Sequence, residues 1–95
     1  MKRSEKLVKE DVKKLLRKAG AYFYMPVPGG FGARGAPDFY VCHKGRFCVV
    51  ETKRDAITKP SPFQQSHIAE VQRSGGVAFV INAVNQHELA EWLAF

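Results

Sequence analysis

Residues 36–53 read APDFYVCHKGRFCVVETK. Two runs rich in β-branched and aromatic residues, DFYVCH and RFCVVETK, flank a short Lys44-Gly45 turn, the pattern of a β-hairpin. With Lys44-Gly45 as the loop, His43 faces Arg46 and pairing runs outward. Val41 then meets Cys48, Phe39 meets Val50, and Asp38 meets Glu51. Directly opposed residues share a face of the sheet, so two carboxylates are predicted side by side. Lys53 lies two positions beyond Glu51. Strand side chains alternate, so Lys53 shares the face of Glu51 while Thr52 points away. The run-up FCVV is apolar, and three charges closing an apolar strand require a reason.

Paired carboxylates repel unless a cation lies between them. The chemistry that fits is phosphodiester hydrolysis. Asp38 and Glu51 would hold Mg²⁺ or Mn²⁺ through oxygen, and the peptide carbonyl of Thr52 could be a further ligand. Such an ion polarises the phosphate and lowers the pKa of a bound water. Lys53 would orient that water or stabilise charge on the phosphate in the transition state. The structural alternative is a surface salt bridge of Asp38 or Glu51 with Lys53 on an edge strand, which is common and weak. In this register Cys42 and Cys48 fall on opposite faces and no disulfide is expected. A register shifted by one would pair the two cysteines and separate the carboxylates.

N-terminal to the hairpin, Ser4 can cap a helix with Glu5 in its first turn. Leu7, Val8, Val12, Leu15, Leu16 and Ala19 recur at helical spacing over roughly residues 5 to 19, and Gly20 is the stop. AYFYMPV reads as a strand that Pro26 and Pro28 confine to its early part or to an edge. PGGFGARGAP is a glycine-rich loop. Its Gly30-x-Gly32-x-x-Gly35 spacing matches a dinucleotide-binding pattern, but Pro37 and a strand follow where that pattern needs a helix. A flexible loop is the better reading, with Arg34 able to meet a phosphate and Gly35 and Pro37 setting the entry to the strand.

C-terminal to the hairpin, TKPSP is a loop. Ser61 and Pro62 open a second helix, with Phe63, His67, Ile68 and Val71 near one stripe, and Ser74-Gly75-Gly76 ends it. VAFVI is a short strand, apolar on both faces, expected inside a sheet covered on both sides. NQHELAEWLAF is a last short helix whose Leu89, Trp92 and Phe95 complete a core or a dimer interface. The order is helix, three strands, helix, strand, helix, in one α/β domain spanning residues 1–95.

The chain has 95 residues, 45% of them hydrophobic and 25% charged, ordinary values for a globular domain. A domain this small buries a modest core, and dimerisation would add to it. The net charge is +6, and a basic surface attracts polyanions, nucleic acid above all. Lys2, Arg3, Lys6, Lys9, Lys13, Lys14, Arg17 and Lys18 crowd the first helix, as a solvated face or a phosphate-tracking one. No apolar run has the length of a membrane span, and no signal-peptide core is present. With only two cysteines, an intracellular, reducing location is expected. His43, His67 and His87 are too dispersed for a metal site.

Taken in order, GAPDFYV, GRFCVVETK, SPFQQ and GGVAFVI resemble the PD-(D/E)XK nuclease superfamily, and more closely the VRR-NUC (virus-type replication-repair nuclease) family. The resemblance covers about residues 5 to 81. It implies a restriction-endonuclease-like αβββαβ core, here with a short C-terminal helix, and Mg²⁺-dependent cleavage of DNA. Asp38 and Glu51 match the family's metal-binding carboxylates and Lys53 its catalytic lysine. Gln64 matches a glutamine on the helix after the active-site strand. The family's first-helix glutamate falls best on Glu5, because Val8, Val12, Leu16 and Gly20 follow at its spacing; Glu10 is the fallback. The segment RDAITKPSPF departs from the glycine common there in the family, which leaves that loop open.

Two of these residues have structural alternatives. Ser61 and Gln64 have capping-box spacing, and Glu5 in the first turn complements the helix dipole. Lys6, Lys9, Lys13, Arg34 and Arg54 are the expected DNA contacts. The small size leaves no room for a separate base-reading module, so substrate choice should rest on DNA structure. A homodimer with two facing sites would suit a branched substrate such as a Holliday junction. The minimal form fits a phage or mobile-element gene acting in a bacterial cytoplasm. The alternative is a non-catalytic nucleic-acid-binding module on the same fold. Opposed carboxylates speak against that, since without a metal they repel DNA.

Overall fold

The computed structural model describes residues 3–27 and 34–95. Gly30 and Gly32 of the glycine-rich loop, and Lys2, lie outside the described residues. The elements are α1 (Glu5–Ala19), β1 (Tyr22–Tyr24), β2 (Phe39–His43), β3 (Arg46–Thr52), α2 (Pro62–Arg73), β4 (Val77–Ile81) and α3 (Gln86–Ala94). This is the expected restriction-endonuclease-like α/β order, with its C-terminal helix.

The hairpin has the register read from the sequence. Phe39 pairs with Val50, Val41 with Cys48 and His43 with Arg46. Its turn places Lys44 at φ 53° and Gly45 at φ 77°. Both central residues with positive φ make the tight turn whose twist suits a two-residue hairpin loop. Cys42 therefore opposes Phe47, away from buried Cys48. Burial pushes the Cys48 thiol up to about 12, which leaves it an inert core group.

Helix α1 begins where Ser4 Oγ accepts from the Leu7 N–H at 3.2 Å, and ends at Gly20. Its Val8, Val12 and Leu16 are fully buried. The four-residue spacing puts them on one stripe, against Phe39, Val41, Cys48 and Val50 of the sheet and Leu89 and Leu93 of α3. Helices α1 and α3 thus cover one face of the sheet. Helix α2 lies against β3 and β4, with Val71 close to Phe47, which points to the other face.

The sheet order is β1-β2-β3-β4, antiparallel except for the parallel β3–β4 pair. Strand β1 is an edge, as its prolines predict. Strand β4 corrects an expectation: its apolar run suggested an interior strand, yet it is the other edge. Helices α2 and α3 both pack on it. Apolar character on both faces reports cover above and below by helices, and says nothing of the open side. Asn85 turns the chain from β4 into α3. Its Oδ1 accepts from the Asn82 N–H at 2.7 Å and its Nδ2 donates to the Val80 carbonyl at 2.8 Å. No described helix is long and apolar enough to cross a membrane.

Candidate active site

The C-terminal end of β3 brings together Glu51, Thr52 and Lys53, all buried. Asp38, at a bend just before β2, continues the hairpin toward Glu51. The carboxyl of Glu51 is held on one side only. Its Oε2 lies 3.2 Å from Lys53 Nζ and accepts a hydrogen bond from Gln64 Nε2 at 2.5 Å. Its Oε1 is buried and has no hydrogen-bond partner among the described residues. Burial first, then the charge of Asp38, push Glu51 up to about 7 against the opposing pull of Lys53, with Glu5 adding a smaller push. A residue 2% exposed with an orphan carboxylate oxygen is costly unless something else completes it.

Thr52 departs from the sequence reading. Its backbone N–H and its Oγ1 both donate to Asp38 Oδ2, at 2.8 and 2.7 Å. Asp38 lies outside the paired ladder, so the alternation that turns Thr52 away from a strand neighbour does not apply to it. These bonds fix one Asp38 oxygen and leave Oδ1 3.5 Å from Lys9 Nζ.

The first-helix acids separate. Glu5 lies close enough for its charge to act on Glu51. Glu10 instead pairs with Lys13 at 2.8 Å, and that pair holds its carboxyl below the usual range. The expected phosphate-contacting cations separate too. Lys9 reaches the site as the partner of Asp38, and Lys13 is tied to Glu10. Lys6 is exposed on α1, and Arg54 is exposed with its Nε 3.6 Å from Asp55. Lys9 lies four residues after Glu5, on the same helix face, a spacing that puts both toward the same region.

Gln64 makes the capping contacts and also reaches Glu51. Its backbone N–H donates to Ser61 Oγ at 3.2 Å, its Oε1 accepts from the Ser61 N–H at 2.8 Å, and its Nε2 reaches Glu51. The capping box freezes the side chain that holds the carboxylate. The chain leaving β3 is fixed by Asp55, whose Oδ1 accepts from the Ile57 N–H, the Thr58 N–H and Thr58 Oγ1. Those bonds hold the Asp55 carboxyl below its usual range. They stiffen the segment between Lys53 and α2, a role the sequence did not disclose.

Arg34, four residues before Asp38 in the chain, has its guanidinium 4.2 Å over the ring of Phe63. Gly35, at φ +77°, touches the backbone of Phe63 and Gln64 so closely that a Cβ there would come within 2.4 Å of Phe63 C. Only glycine fits that conformation and that gap.

Among the described residues, no three or more His, Cys, Asp or Glu side chains gather tightly enough to hold an ion unaided. The donors here are two carboxylates, one with an unpartnered oxygen, beside backbone oxygens. That set fits a hard divalent ion that keeps part of its water shell. It does not fit a closed zinc site of nitrogen and sulfur ligands. Two surface clefts lie elsewhere, one of about 410 Å³ between Phe47 and the end of α2, one of about 390 Å³ between α1, α3 and His43. Neither is lined by Asp38 or Glu51.

A mixed sheet of this order, with carboxylates and a lysine at the ends of its central hairpin, defines the class of restriction-endonuclease-like α/β domains. A solved structure described as a VRR_NUC domain superposes with a TM-score of 0.77 at 29% identity, over 92% of this chain and 94% of that one. A second, described as a VRR_NUC domain protein, gives 0.75 at 17% identity, over 99% of this chain and 88% of that one. No family model matches the chain, and no curated protein does. The chain is built as a VRR-NUC domain, a nuclease-type fold.

Proposed function

We propose that the protein hydrolyses phosphodiester bonds of DNA, using Mg²⁺ or Mn²⁺ held by Asp38, Glu51 and the Thr52 carbonyl. The observation that carries this reading is the Glu51 carboxylate, buried between Asp38 and Lys53 with Oε1 unpartnered. A purely structural ion pair would have its oxygens satisfied. When bound, the ion supplies Lewis-acid stabilisation of the phosphate and a water acidic enough to attack near neutral pH.

The chain's own residues do the rest. Lys53 Nζ, held by Glu51 Oε2, is poised to orient the attacking water and to stabilise charge developing on the phosphate oxygens. Gln64 fixes the rotamer of Glu51. Thr52 fixes Asp38 so that Oδ1 remains available. Lys9 neutralises Asp38 before an ion arrives, and is a ready phosphate contact once it is released. Glu5 adds negative charge that strengthens cation binding.

The basic α1 surface and the exposed Lys6, Arg34 and Arg54 favour a polyanionic substrate. We further propose a homodimer whose paired sites act on branched DNA, in repair, recombination or phage replication. A domain of this size buries a modest core, which an interface between two copies would enlarge.

The test is a cleavage panel of labelled four-way junction, flap, linear duplex and single-stranded DNA. Each is run with Mg²⁺, with Mn²⁺ and with chelator, beside Lys53→Ala. Metal-dependent cutting that the substitution abolishes is the expected result, with the junction cut best. Binding without cutting by both proteins would make the chain a nucleic-acid-binding module. A monomer at micromolar concentration by light scattering would remove the argument for the junction.

A further inference from the structure

We propose that Arg34 and Phe63 form a stacking platform for one unpaired base of the strand being cut, and so set a preference for DNA with an unpaired base beside the scissile phosphate. The inference rests on the nuclease reading and names what its site selects.

The guanidinium lies 4.2 Å over the Phe63 ring, and both side chains are exposed, Phe63 at 49%. An exposed phenylalanine at the second position of a helix contributes little to this core. It is, however, one residue from Gln64, which holds Glu51. Arg34 is likewise four residues from Asp38. The stack is therefore joined through short chain segments to both carboxylates.

It is also a built feature. Gly35 presses against the backbone of Phe63 and Gln64 with no room for a Cβ. The capping box holds the same turn from the other side. A guanidinium–aromatic pair still has an outer plane on each member, and bases stack on both kinds of plane. The guanidinium keeps its N–H edge for a phosphate. A base within an intact duplex cannot use such a plane, whereas one at a branch, flap or single strand can.

The experiment uses the full chain with DNA carrying 2-aminopurine at successive unpaired positions around the branch point, in the presence of Ca²⁺. One position is expected to show quenched fluorescence on binding, because a stacked 2-aminopurine is quenched. Phe63→Ala and Arg34→Lys should each restore the fluorescence, and Phe63→Trp should keep it quenched. In the same Ca²⁺ buffer, an abasic residue at that position should weaken binding by about ten-fold or more for wild type and not for Phe63→Ala.

Arg34→Lys keeps the charge and loses the plane. If it matches wild type in quenching and in abasic sensitivity, Arg34 is a phosphate contact only and the proposal falls. It falls too if no position is quenched, or if Phe63→Ala lowers cleavage of duplex and branched DNA by the same factor. The fluorescence needs no hydrolysis. A wild type that quenches yet never cuts would refute the nuclease reading and leave the platform standing.

Discussion

The two ends of β3 both carry a cation and its partners, and they are built on opposite terms. At the N-terminal end, Arg46 donates to the carbonyls of Trp92 at 2.7 Å and Phe95 at 3.1 Å, and lies 4.2 Å over the Trp92 ring. Beside it, His43 Nε2 is 3.1 Å from the Leu93 carbonyl. These contacts supply the last carbonyls of α3, which have no partners within the helix. At the C-terminal end, Lys53 and Gln64 satisfy one oxygen of Glu51 and the other is left bare. A polar cluster whose needs are all met anchors a helix. One with a buried group unmet is costly unless something else completes it.

The largest expected effect lies at the unmet end. Lys53→Ala and Glu51→Gln should each lower DNA cleavage by on the order of a hundred-fold or more in a metal-dependent nuclease assay. Arg46→Ala should leave the rate unchanged at a temperature where it is folded. Equal losses at both ends would erase the distinction.

Next in size is a difference in stability that depends on pH. Glu51 is held up at about 7 by burial and Asp38, against an ordinary 4.5. A carboxyl with a raised folded pKa lends most stability below its unfolded value, and that stability is lost as pH rises through the folded one. In chelator, the melting temperature of Glu51→Gln should therefore rise relative to wild type between about pH 4.5 and about 7 and level off beyond. Mg²⁺ should raise the wild-type melting temperature above pH 7 and leave Glu51→Gln nearly unmoved. A flat difference across that range would mean the carboxylate is already satisfied.

Arg46→Ala should cost about 1–3 kcal/mol by denaturant melts, from lost hydrogen bonds and cation–π stacking, with no dependence on divalent ions. Ser61→Ala should cost about 1 kcal/mol as a lost cap and lower cleavage less than Gln64→Ala, which also releases Glu51. Smallest of all, Glu10→Gln should leave both melting and cleavage within error, whereas Glu5→Gln should weaken the response to Mg²⁺ in the same two assays. Reversed outcomes would move the first-helix acid to Glu10.

Whatever follows from neighbours along the chain was legible before any fold was known. A two-residue turn and a period of two set the register that opposes Phe39 with Val50 and carries Asp38 toward Glu51. The spacing of Val8, Val12 and Leu16 set α1, and Ser61 with Gln64 set the cap of α2. What those elements meet came from the folding of distant segments onto one another. That folding made β4 an edge, since an apolar strand covered by helices reads alike at an edge or in the middle. It brought Lys9 to Asp38, turned Thr52 onto the same carboxyl, and laid Arg34 on Phe63 across a gap that admits only glycine. It also gave Gln64 its second partner, because one amide can satisfy a backbone N–H nearby in sequence and a carboxylate brought close by the fold. The altered acidity of Glu51 belongs to this second kind. Burial and the approach of charges from other segments produce it, and neither is a property of a residue and its neighbours in sequence.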